Sequence, residues 1–386
     1  MRVPVVVASL CLALALVPAA SAAGETVGGE QLAAPGVQVN YGPGAQPLPR
    51  VRAESWVLGQ LENNAVLAAK NAHEARPPAS TLKTLTGLTL IPQLDVNAQY
   101  VGQSKDGNVD GSRVGIAPGR TYTVNDLFHA LFLPSANDAA VALAHANGGL
   151  TKTIDEMNAE AARIGAMDTV AKTPNGLDAK GQVSSAYDLA LIAKNGLALP
   201  YFKELTTAKT YDFPMGNDTL VIYNQNRLLQ HGYKGIIGVK TGYTTNAGRT
   251  FVAAATRHGV TLVVSLMGIH EWSEDAARKL LDWGFANSTK VTPVGTLVDP
   301  SSTERPTATA QAAAGDGDAP NAAAPTAATS STGPPLATIG VIAAIVLLVI
   351  VIFALTLRSR RHHATVRGAH AARRNEARLK RTGHEA

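Results

Sequence analysis

Cysteine is almost missing from this chain, and its scarcity narrows the chemistry that the protein can support. The single cysteine among 386 residues is Cys11, which lies in an apolar N-terminal stretch. Without that stretch the chain can form no disulfide, no thiolate metal site and no cysteine nucleophile. The histidines of the central region form no His-x-x-x-His pair, and His362 and His363 lie near the C-terminus. We therefore expect no metal site and no cofactor.

Positive charge is also scarce, except at the C-terminus. The formal net charge of the whole chain is +5, but residues 358–386 alone carry nine Lys or Arg and two Glu. The rest of the chain is therefore net acidic, which argues against a nucleic-acid-binding domain. The basic tail is instead suited to contact with anionic lipid head groups.

Apolar stretches of different length lie near the two termini. Residues 1–22 combine Arg2, a short apolar core and the small residues Ala20-Ser21-Ala22, which is typical of a cleaved signal peptide. Residues 336–357 are uncharged and would be about 33 Å long as a helix, close to a hydrocarbon core of about 30 Å. The basic tail at 358–386 favours a cytoplasmic C-terminus. We expect a single-pass cell-membrane protein whose folded region is extracytoplasmic.

Two other segments have few large apolar residues. Residues 289–335 contain a short extension and an Ala-, Pro- and Thr-rich stretch, which we expect to be a disordered tether. Residues 23–50 are rich in Gly and Pro and are predicted to be irregular. The folded domain is therefore predicted to span residues 51–288, which is ample for a hydrophobic core.

The central region predicts strands at both ends and helices between them. Apolar runs on either side of Glu62-Asn63-Asn64 predict a hairpin. Residues 235–269 predict two long strands joined at Arg257-His258-Gly259. Helical patterns recur in three segments, at residues 123–149 with a break at Pro134, at residues 185–199 after a Ser cap, and at residues 273–285. This order indicates an α+β fold, with an antiparallel sheet flanked by helices and a helical subdomain.

Three short motifs place reactive side chains in this framework. Ser80 and Lys83 begin a predicted helix, and their spacing puts them on one face with side-chain roots about 5–6 Å apart. Ser135 and Asn137 lie between two predicted helices, and Lys240-Thr241-Gly242 lies within a predicted strand. Each motif also has an ordinary structural interpretation. The serines are good helix caps, and a lysine often protects the edge of a sheet.

The ordered motifs Ser-x-x-Lys, Ser-x-Asn and Lys-Thr-Gly together resemble the signature of the penicillin-recognising serine enzymes. The segments MNAEAARIGAMDTVAKTPNGLD, SSAYDLALIAK and NQNRLL…GVKTGYTTNAG are similar to those of the D,D-carboxypeptidases, the low-molecular-mass penicillin-binding proteins that trim peptidoglycan. The resemblance covers roughly residues 50–290. It implies a β-lactamase/transpeptidase-like domain that hydrolyses the terminal D-Ala-D-Ala bond of peptidoglycan stem pentapeptides and is inhibited by β-lactam antibiotics.

The chemistry of an acyl-enzyme explains why a serine and a lysine lie so close together. A serine hydroxyl is a poor nucleophile until a base removes its proton. Lys83 can be the base for Ser80 only if burial and a second cation, Lys240, lower its pKa. The resemblance implies that Ser135 relays the proton to the leaving amine.

The resemblance also implies how the substrate is held. Asn137 would hydrogen-bond the peptide group, Lys240 and Thr241 would bind the terminal carboxylate, and Gly242 would let the substrate backbone approach the strand. The oxyanion hole would consist of two backbone N–H groups, those of Ser80 and Tyr243.

The chain departs from the family pattern in two respects. Relatives often have a carboxylate-binding arginine shortly after the second long strand, whereas here the first arginine in that region is Arg278. Many relatives also have a second, β-rich domain. We expect none here, because only STKVTPVGTLVDP separates the last predicted helix from the tether.

Three alternative functions remain open from the sequence. A D,D-endopeptidase that cuts cross-linked peptidoglycan would use the same residues. A class A-type β-lactamase needs a Glu-activated water, but the corresponding segment TVAKTPNGLDAK contains no Glu. A non-enzymatic wall-binding protein would not need a reactive residue at every motif position.

Overall fold

The computed structural model describes residues 26–301. The predicted signal peptide, most of the tether, the predicted membrane span and the basic tail lie outside these residues. Within the part of the chain that is described, no helix is both long and apolar enough to cross a membrane.

The main sheet is antiparallel and draws its strands from both ends of the described chain. Its strands are β1 (Val37–Tyr41), β2 (Ala53–Gln60), β3 (Ala65–Lys70), β8 (Ile236–Thr244), β9 (Gly248–Arg257), β10 (Val260–Ile269), β11 (Val291–Thr292) and β12 (Gly295–Thr296). They lie in the order β11-β1-β3-β2-β10-β9-β8, and β12 pairs with β3. Strand β8 therefore forms one edge of the sheet.

Helices cover both faces of this sheet. Helix α8 (Ser273–Asn287) packs on one face, against inward side chains such as Leu58 and Leu262. The opposite face, with Val57 and Val263, packs on a helical block. Its helices are α1 (Lys83–Leu90), α2 (Val124–Phe132), α3 (Asn137–Ala146), α4 (Leu150–Arg163), α5 (Ala186–Leu197) and α6 (Pro200–Thr207). The short helix α7 (Arg227–Gln230) lies on the α8 side, where Leu228 joins the same apolar cluster as Leu58. Since both faces are covered, the central strands are continuously apolar instead of alternating.

Two small antiparallel sheets flank the helical block. One pairs β4 with β5 and the other pairs β6 with β7. Their strands are β4 (Gln99–Val101), β5 (Thr121–Thr123), β6 (Thr210–Met215) and β7 (Asp218–Tyr223). Residues 102–120 connect β4 to β5 and run past the start of α3, where the Ser135 motif lies.

The α+β architecture and most predicted elements are confirmed. The hairpin around residues 62–64 is β2 and β3, and the break at Pro134 separates α2 from α3. The Ser185 side chain caps α5 by accepting a hydrogen bond from the Asp188 N–H, as the Ser cap predicted.

Three predictions were wrong. Residues 23–50 are not wholly irregular, because β1 pairs with β3 and β11 at the edge of the main sheet. The limits 51–288 are consequently too narrow for the domain, which also includes β11 and β12. Residues 235–269 form three strands instead of two, because a turn at residues 245–247 divides β8 from β9. Gly248 has a positive φ of 65°, which suits the end of that turn.

Candidate active site

Ser80 lies in a 3₁₀ turn, Ala79–Leu82, that runs directly into α1. It is within the turn and caps neither helix, so the ordinary interpretation as an N-cap does not hold. Ala79 has a φ of +50°, a conformation that non-glycine residues seldom adopt. Gly176 backs onto this turn so closely that a Cβ there would lie 2.0 Å from the Ala79 carbonyl oxygen. The surrounding chain thus holds Ser80 in a strained local backbone.

Lys83 lies one turn further along and is fully buried. Its Nζ lies 3.0 Å from Ser80 Oγ, 2.6 Å from Asn137 Oδ1 and 2.6 Å from the Asn175 carbonyl oxygen. Burial lowers the pKa of Lys83 well below its ordinary value, and the nearby Lys240 charge lowers it further. The Asp138 carboxylate acts in the opposite direction. Burial and the second cation are the two effects that Lys83 needs in order to act as a base.

Ser135 lies in the link between α2 and α3 and has a φ of +64°. Its side chain is almost completely buried, yet its Oγ has no hydrogen-bond partner within residues 26–301. A buried hydroxyl without a partner is costly, and strained backbone often marks a functional position. Ser135 and Ser80 line the same cavity.

Asn137 is the first residue of α3 and bridges two parts of the site. Its Oδ1 accepts from Lys83, and its Nδ2 donates to the Asp110 carbonyl oxygen at 2.6 Å. The Asn137 side chain lies near the cavity and also positions Lys83. The sequence did not predict this contact between Asn137 and Lys83.

The Lys-Thr-Gly motif lies in β8, at the sheet edge that faces Ser80. Gly242 approaches the first turn so closely that a Cβ there would be 2.9 Å from the Ser80 nitrogen. Position 242 thus needs a glycine so that β8 can pack against the turn that contains Ser80. Any contact with substrate is an additional role. Lys240 is buried, and burial lowers its pKa to about 7. Its Nζ donates to the Thr241 carbonyl oxygen at 3.0 Å.

These elements enclose a cavity of about 350 Å³. Its walls include Ser80, Ser112, Ser135, Thr241, Gly242, Tyr243, Arg249 and Trp272. Lys83 and Lys240 are buried and are not among the lining residues. The structure therefore brings the three sequence motifs together around one cavity, with an exposed tyrosine, Tyr243, at its rim.

Sequence reasoning missed several residues that support the site. Asp138 lies next to Asn137, and its carboxylate accepts four backbone N–H groups, one from Ala139 and three from Val114, Gly115 and Ile116. Asn175 was also missed, because no sequence pattern indicates that its carbonyl group would accept a hydrogen bond from Lys83. Arg278, the first arginine after the predicted strands, pairs with Asp275 and does not line the cavity.

Comparisons with known proteins agree with this geometry. The family model for D-alanyl-D-alanine carboxypeptidase matches residues 43–271. The D-alanyl-D-alanine carboxypeptidase DacB2 of Mycobacterium tuberculosis is 42% identical over 252 residues, covering 63% of this chain and 86% of that protein. The D-alanyl-D-alanine carboxypeptidase DacD of Escherichia coli is 34% identical over 258 residues, covering 63% of this chain and 66% of that protein.

Solved structures give the same result. The crystal structure of a D-alanyl-D-alanine carboxypeptidase from Mycobacterium tuberculosis aligns with a TM-score of 0.63 and 41% identity, covering 66% of this chain and 99% of that one. The Streptomyces K15 DD-transpeptidase aligns with a TM-score of 0.60 and 27% identity, covering 62% of this chain and all of that one. With its three motifs assembled around one cavity, the chain belongs to the D-alanyl-D-alanine carboxypeptidase family of serine peptidases (peptidase family S11).

Proposed function

We propose that this protein is a penicillin-binding serine D,D-carboxypeptidase that hydrolyses the terminal D-Ala-D-Ala bond of peptidoglycan stem pentapeptides through an acyl-enzyme on Ser80. Family membership supports the reaction. The observation that carries the assignment of Ser80 and Lys83 is the set of three oxygen atoms around Lys83 Nζ.

Two of these three oxygens can only accept hydrogen bonds. The Asn137 and Asn175 oxygens are carbonyl oxygens, so each must accept an N–H from Lys83. A neutral amine has only two N–H groups, and its lone pair would then face Ser80 Oγ at 3.0 Å. The lowered pKa of Lys83 favours this neutral form. Lys83 is thus oriented to take the Ser80 proton as a general base.

The reaction follows from this arrangement. Ser80 Oγ attacks the carbonyl carbon of the penultimate D-Ala while Lys83 takes its proton, and the backbone N–H groups of Ser80 and Tyr243 stabilise the oxyanion. Ser135, whose hydroxyl has no other partner within residues 26–301, relays that proton from Lys83 to the leaving amine. Terminal D-Ala departs, and water then cleaves the ester. A β-lactam carbonyl would acylate the same Ser80 oxygen.

Substrate recognition uses the β8 edge. Lys240 and Thr241 bind the terminal carboxylate by charge and by hydroxyl, and Gly242 admits the substrate backbone. Asn137 has a second Nδ2 hydrogen available for the substrate peptide group, because Asp110 takes the first.

The endopeptidase alternative uses the same machinery on a different leaving group. The two functions are separated by products: a carboxypeptidase frees D-Ala from a pentapeptide, whereas an endopeptidase splits cross-linked dimers. The likeness to a DD-transpeptidase adds a third product, a new cross-link, that the same assay would detect.

We also propose that the catalytic domain is extracytoplasmic and held at the cell membrane. Support comes from the sequence alone: the signal-peptide pattern at residues 1–22, the uncharged run at 336–357 and the basic residues at 358–386. In sealed membrane vesicles whose outer face is extracytoplasmic, an added protease should digest the catalytic domain and leave the tail intact.

One experiment tests the core of the proposal. Detergent-solubilised full-length protein is incubated with a fluorescent penicillin and digested, and separately with a pentapeptide ending in D-Ala-D-Ala. Mass spectrometry should find the adduct on Ser80 and free D-Ala in the second reaction. An adduct on Ser135, or cleavage of dimers without release of D-Ala, would show that the assignment or the reaction is wrong.

A further inference from the structure

One wall of the Ser80 cavity contains two arginines that belong to none of the three motifs. Arg249 lies in β9 and Arg227 begins α7, and both line the cavity beside Thr241. Each guanidinium lies 5.4 Å from the ring centroid of Trp272, which is itself more than half exposed. A neutral substrate would not require two guanidinium groups here, so the wall is suited to an anion.

Strand register places Arg249 close to the motif threonine. In the β8–β9 ladder Thr241 is opposite Phe251 and Tyr243 is opposite Arg249. Thr241 and Arg249 are therefore diagonal neighbours on the same face of the sheet. Cβ atoms in such a pair lie about 7–8 Å apart, a distance that a long side chain can span.

The two arginines differ in their partners. Arg227 forms an ion pair with Glu274 at 3.0 Å, so most of its charge is already compensated. Arg249 is exposed and forms no ion pair or hydrogen bond through its side chain within residues 26–301. Stacking on an aromatic ring uses the flat face of a guanidinium and leaves its in-plane N–H donors free. Arg249 thus presents an uncompensated, fork-shaped donor set to the cavity.

We infer that Arg249 is a specificity-determining residue that binds the terminal carboxylate of the substrate together with Thr241. This inference rests on the proposed function, since it names the group that reads the C-terminus of the same peptide. The ligand class is a peptide or β-lactam with a free carboxylate next to the bond that is cleaved.

The charge of Arg249 complements that of Lys240. Burial lowers the pKa of Lys240 to about 7, so this lysine loses its charge as the pH rises through neutrality. An arginine keeps its charge throughout that range. The other charged groups around the site are Lys83 on α1, Asp138 on α3, Arg227 on α7 and Glu274 on α8. Above neutral pH, carboxylate recognition therefore depends chiefly on Arg249.

The test compares two substrates and four variants of the full-length protein. The substrates are one stem-type peptide ending in D-Ala-D-Ala and the same peptide with a C-terminal carboxamide, and the measurement is kcat/KM for each. Arg249→Gln should lower kcat/KM for the carboxylate about 10- to 100-fold, the typical value of a charge-assisted hydrogen bond, while the carboxamide changes little. Arg249→Lys should recover part of the loss.

Matched controls separate local charge from a general field. Arg278→Gln removes the same charge from α8 outside the Ser80 cavity and should leave the carboxylate preference unchanged. Arg227→Gln should have a smaller effect than Arg249→Gln, because Glu274 compensates Arg227. In Arg249→Gln the remaining carboxylate preference should decline as the pH rises through the pKa of Lys240, whereas wild type should keep its preference.

The possible failures are distinguishable. An active wild type whose carboxylate preference is unchanged in Arg249→Gln overturns this inference alone. Equal losses for both peptides, without the pH effect, would show that Arg249 only supports Trp272. A wild type that neither labels at Ser80 nor frees D-Ala would overturn the proposed function instead.

Discussion

Two groups of buried or half-buried polar side chains lie side by side around α3, and they differ in how well their hydrogen bonds are satisfied. The catalytic cluster consists of Ser80, Lys83, Ser135, Asn137 and Lys240, and the clamp cluster of Tyr100, Asp106, Asp138 and His145. The catalytic cluster contains a hydroxyl without a partner in the described chain, two lysines with lowered pKa values and positive φ angles at Ala79 and Ser135.

In the clamp cluster both carboxylates are fully hydrogen-bonded. Asp106 accepts from the Tyr100 hydroxyl at 2.7 Å and the Gln103 N–H at 2.6 Å, and it also contacts His145 Nδ1 at 2.5 Å. Asp138 accepts three backbone N–H groups of residues 114–116. The clamp cluster therefore fixes the loop of residues 102–120 beside the cavity.

The contrast shows how the well-satisfied clamp cluster can hold in place the less favourable groups that the catalytic cluster needs for its chemistry. Groups with unsatisfied hydrogen bonds and shifted pKa values are unfavourable for folding, and they cluster where chemistry requires them. They persist because well-satisfied neighbours hold the same helix in place. If this view is right, mutations in the catalytic cluster should reduce activity without loss of stability, whereas clamp mutations should reduce stability first.

Ser80→Ala should give the largest effect on activity. Release of D-Ala should fall on the order of 10⁴-fold or more, because the oxygen that forms the acyl-enzyme is removed. The free energy of unfolding should change by no more than about 1 kcal/mol, since one neutral hydrogen bond to Lys83 is lost. Urea denaturation and penicillin labelling check the two values. A variant that keeps its label would place the nucleophile elsewhere.

Ser135→Gly separates function from strain in the same cluster. Proton relay by a side chain typically contributes about 10²- to 10⁴-fold, so release of D-Ala should fall by that order. Stability should rise by about 1 kcal/mol, because glycine accepts the positive φ without strain and a buried unpaired hydroxyl is removed. The matched control is His258→Gly, since His258 has a φ of +51° in the β9–β10 turn. That variant should keep full activity, and a loss in it equal to that of Ser135→Gly would contradict the relay.

Lys240→Met tests whether the lowered pKa carries a stability cost. The folded pKa of Lys240 is about 7, below its ordinary value of 10.5. The unfolded chain therefore binds more protons between these values, and the stability of the wild type rises with pH across that window. Below pH 7 the full cost of burying the charge is present. Methionine has a similar volume. The free energy of unfolding of Lys240→Met should therefore exceed that of the wild type by a few kcal/mol below pH 7, and by progressively less towards pH 10.

The activity of Lys240→Met should change in the opposite direction. Release of D-Ala should fall about 10- to 100-fold near neutral pH as one charge-assisted contact to the carboxylate is lost. Thermal unfolding at several pH values, together with the peptide assay, measures both effects. A stability gain that does not depend on pH would show that hydrophobic packing, instead of buried charge, explains the change.

The two clusters also differ in how far the sequence predicts them. Ser80, Lys83, Ser135 and Lys240 are recognisable because the chemistry needs particular side chains in a particular order. Asp138 was not predicted, because its partners are backbone N–H groups, and any loop sequence supplies those. The same reason hid Asn175, which acts through its carbonyl oxygen. Asp106 was not predicted either, because its partners Tyr100, Gln103 and His145 form no recognisable motif with it. The strands β1 and β11 were missed because short, half-exposed edge strands carry little apolar pattern.

Asp138→Asn is the mildest change, and it tests the clamp directly. Asparagine keeps the shape but offers a single neutral acceptor oxygen to four backbone N–H groups. The free energy of unfolding should fall by about 1–3 kcal/mol, and hydrogen exchange should show faster opening at residues 112–116. The control Asp155→Asn removes an exposed carboxylate from α4 and should change neither value.

The same variant links the two clusters through Lys83. The Asp138 carboxylate raises the pKa of Lys83 against burial and Lys240. Removing that charge should lower the pKa of Lys83 further, so that the base is neutral at more acidic pH. The acidic limb of the kcat/KM profile should then move to lower pH, even as the loop loosens. A limb that moves to higher pH, or loop protection that stays as in wild type, would mean that the clamp is not what holds the catalytic cluster in place.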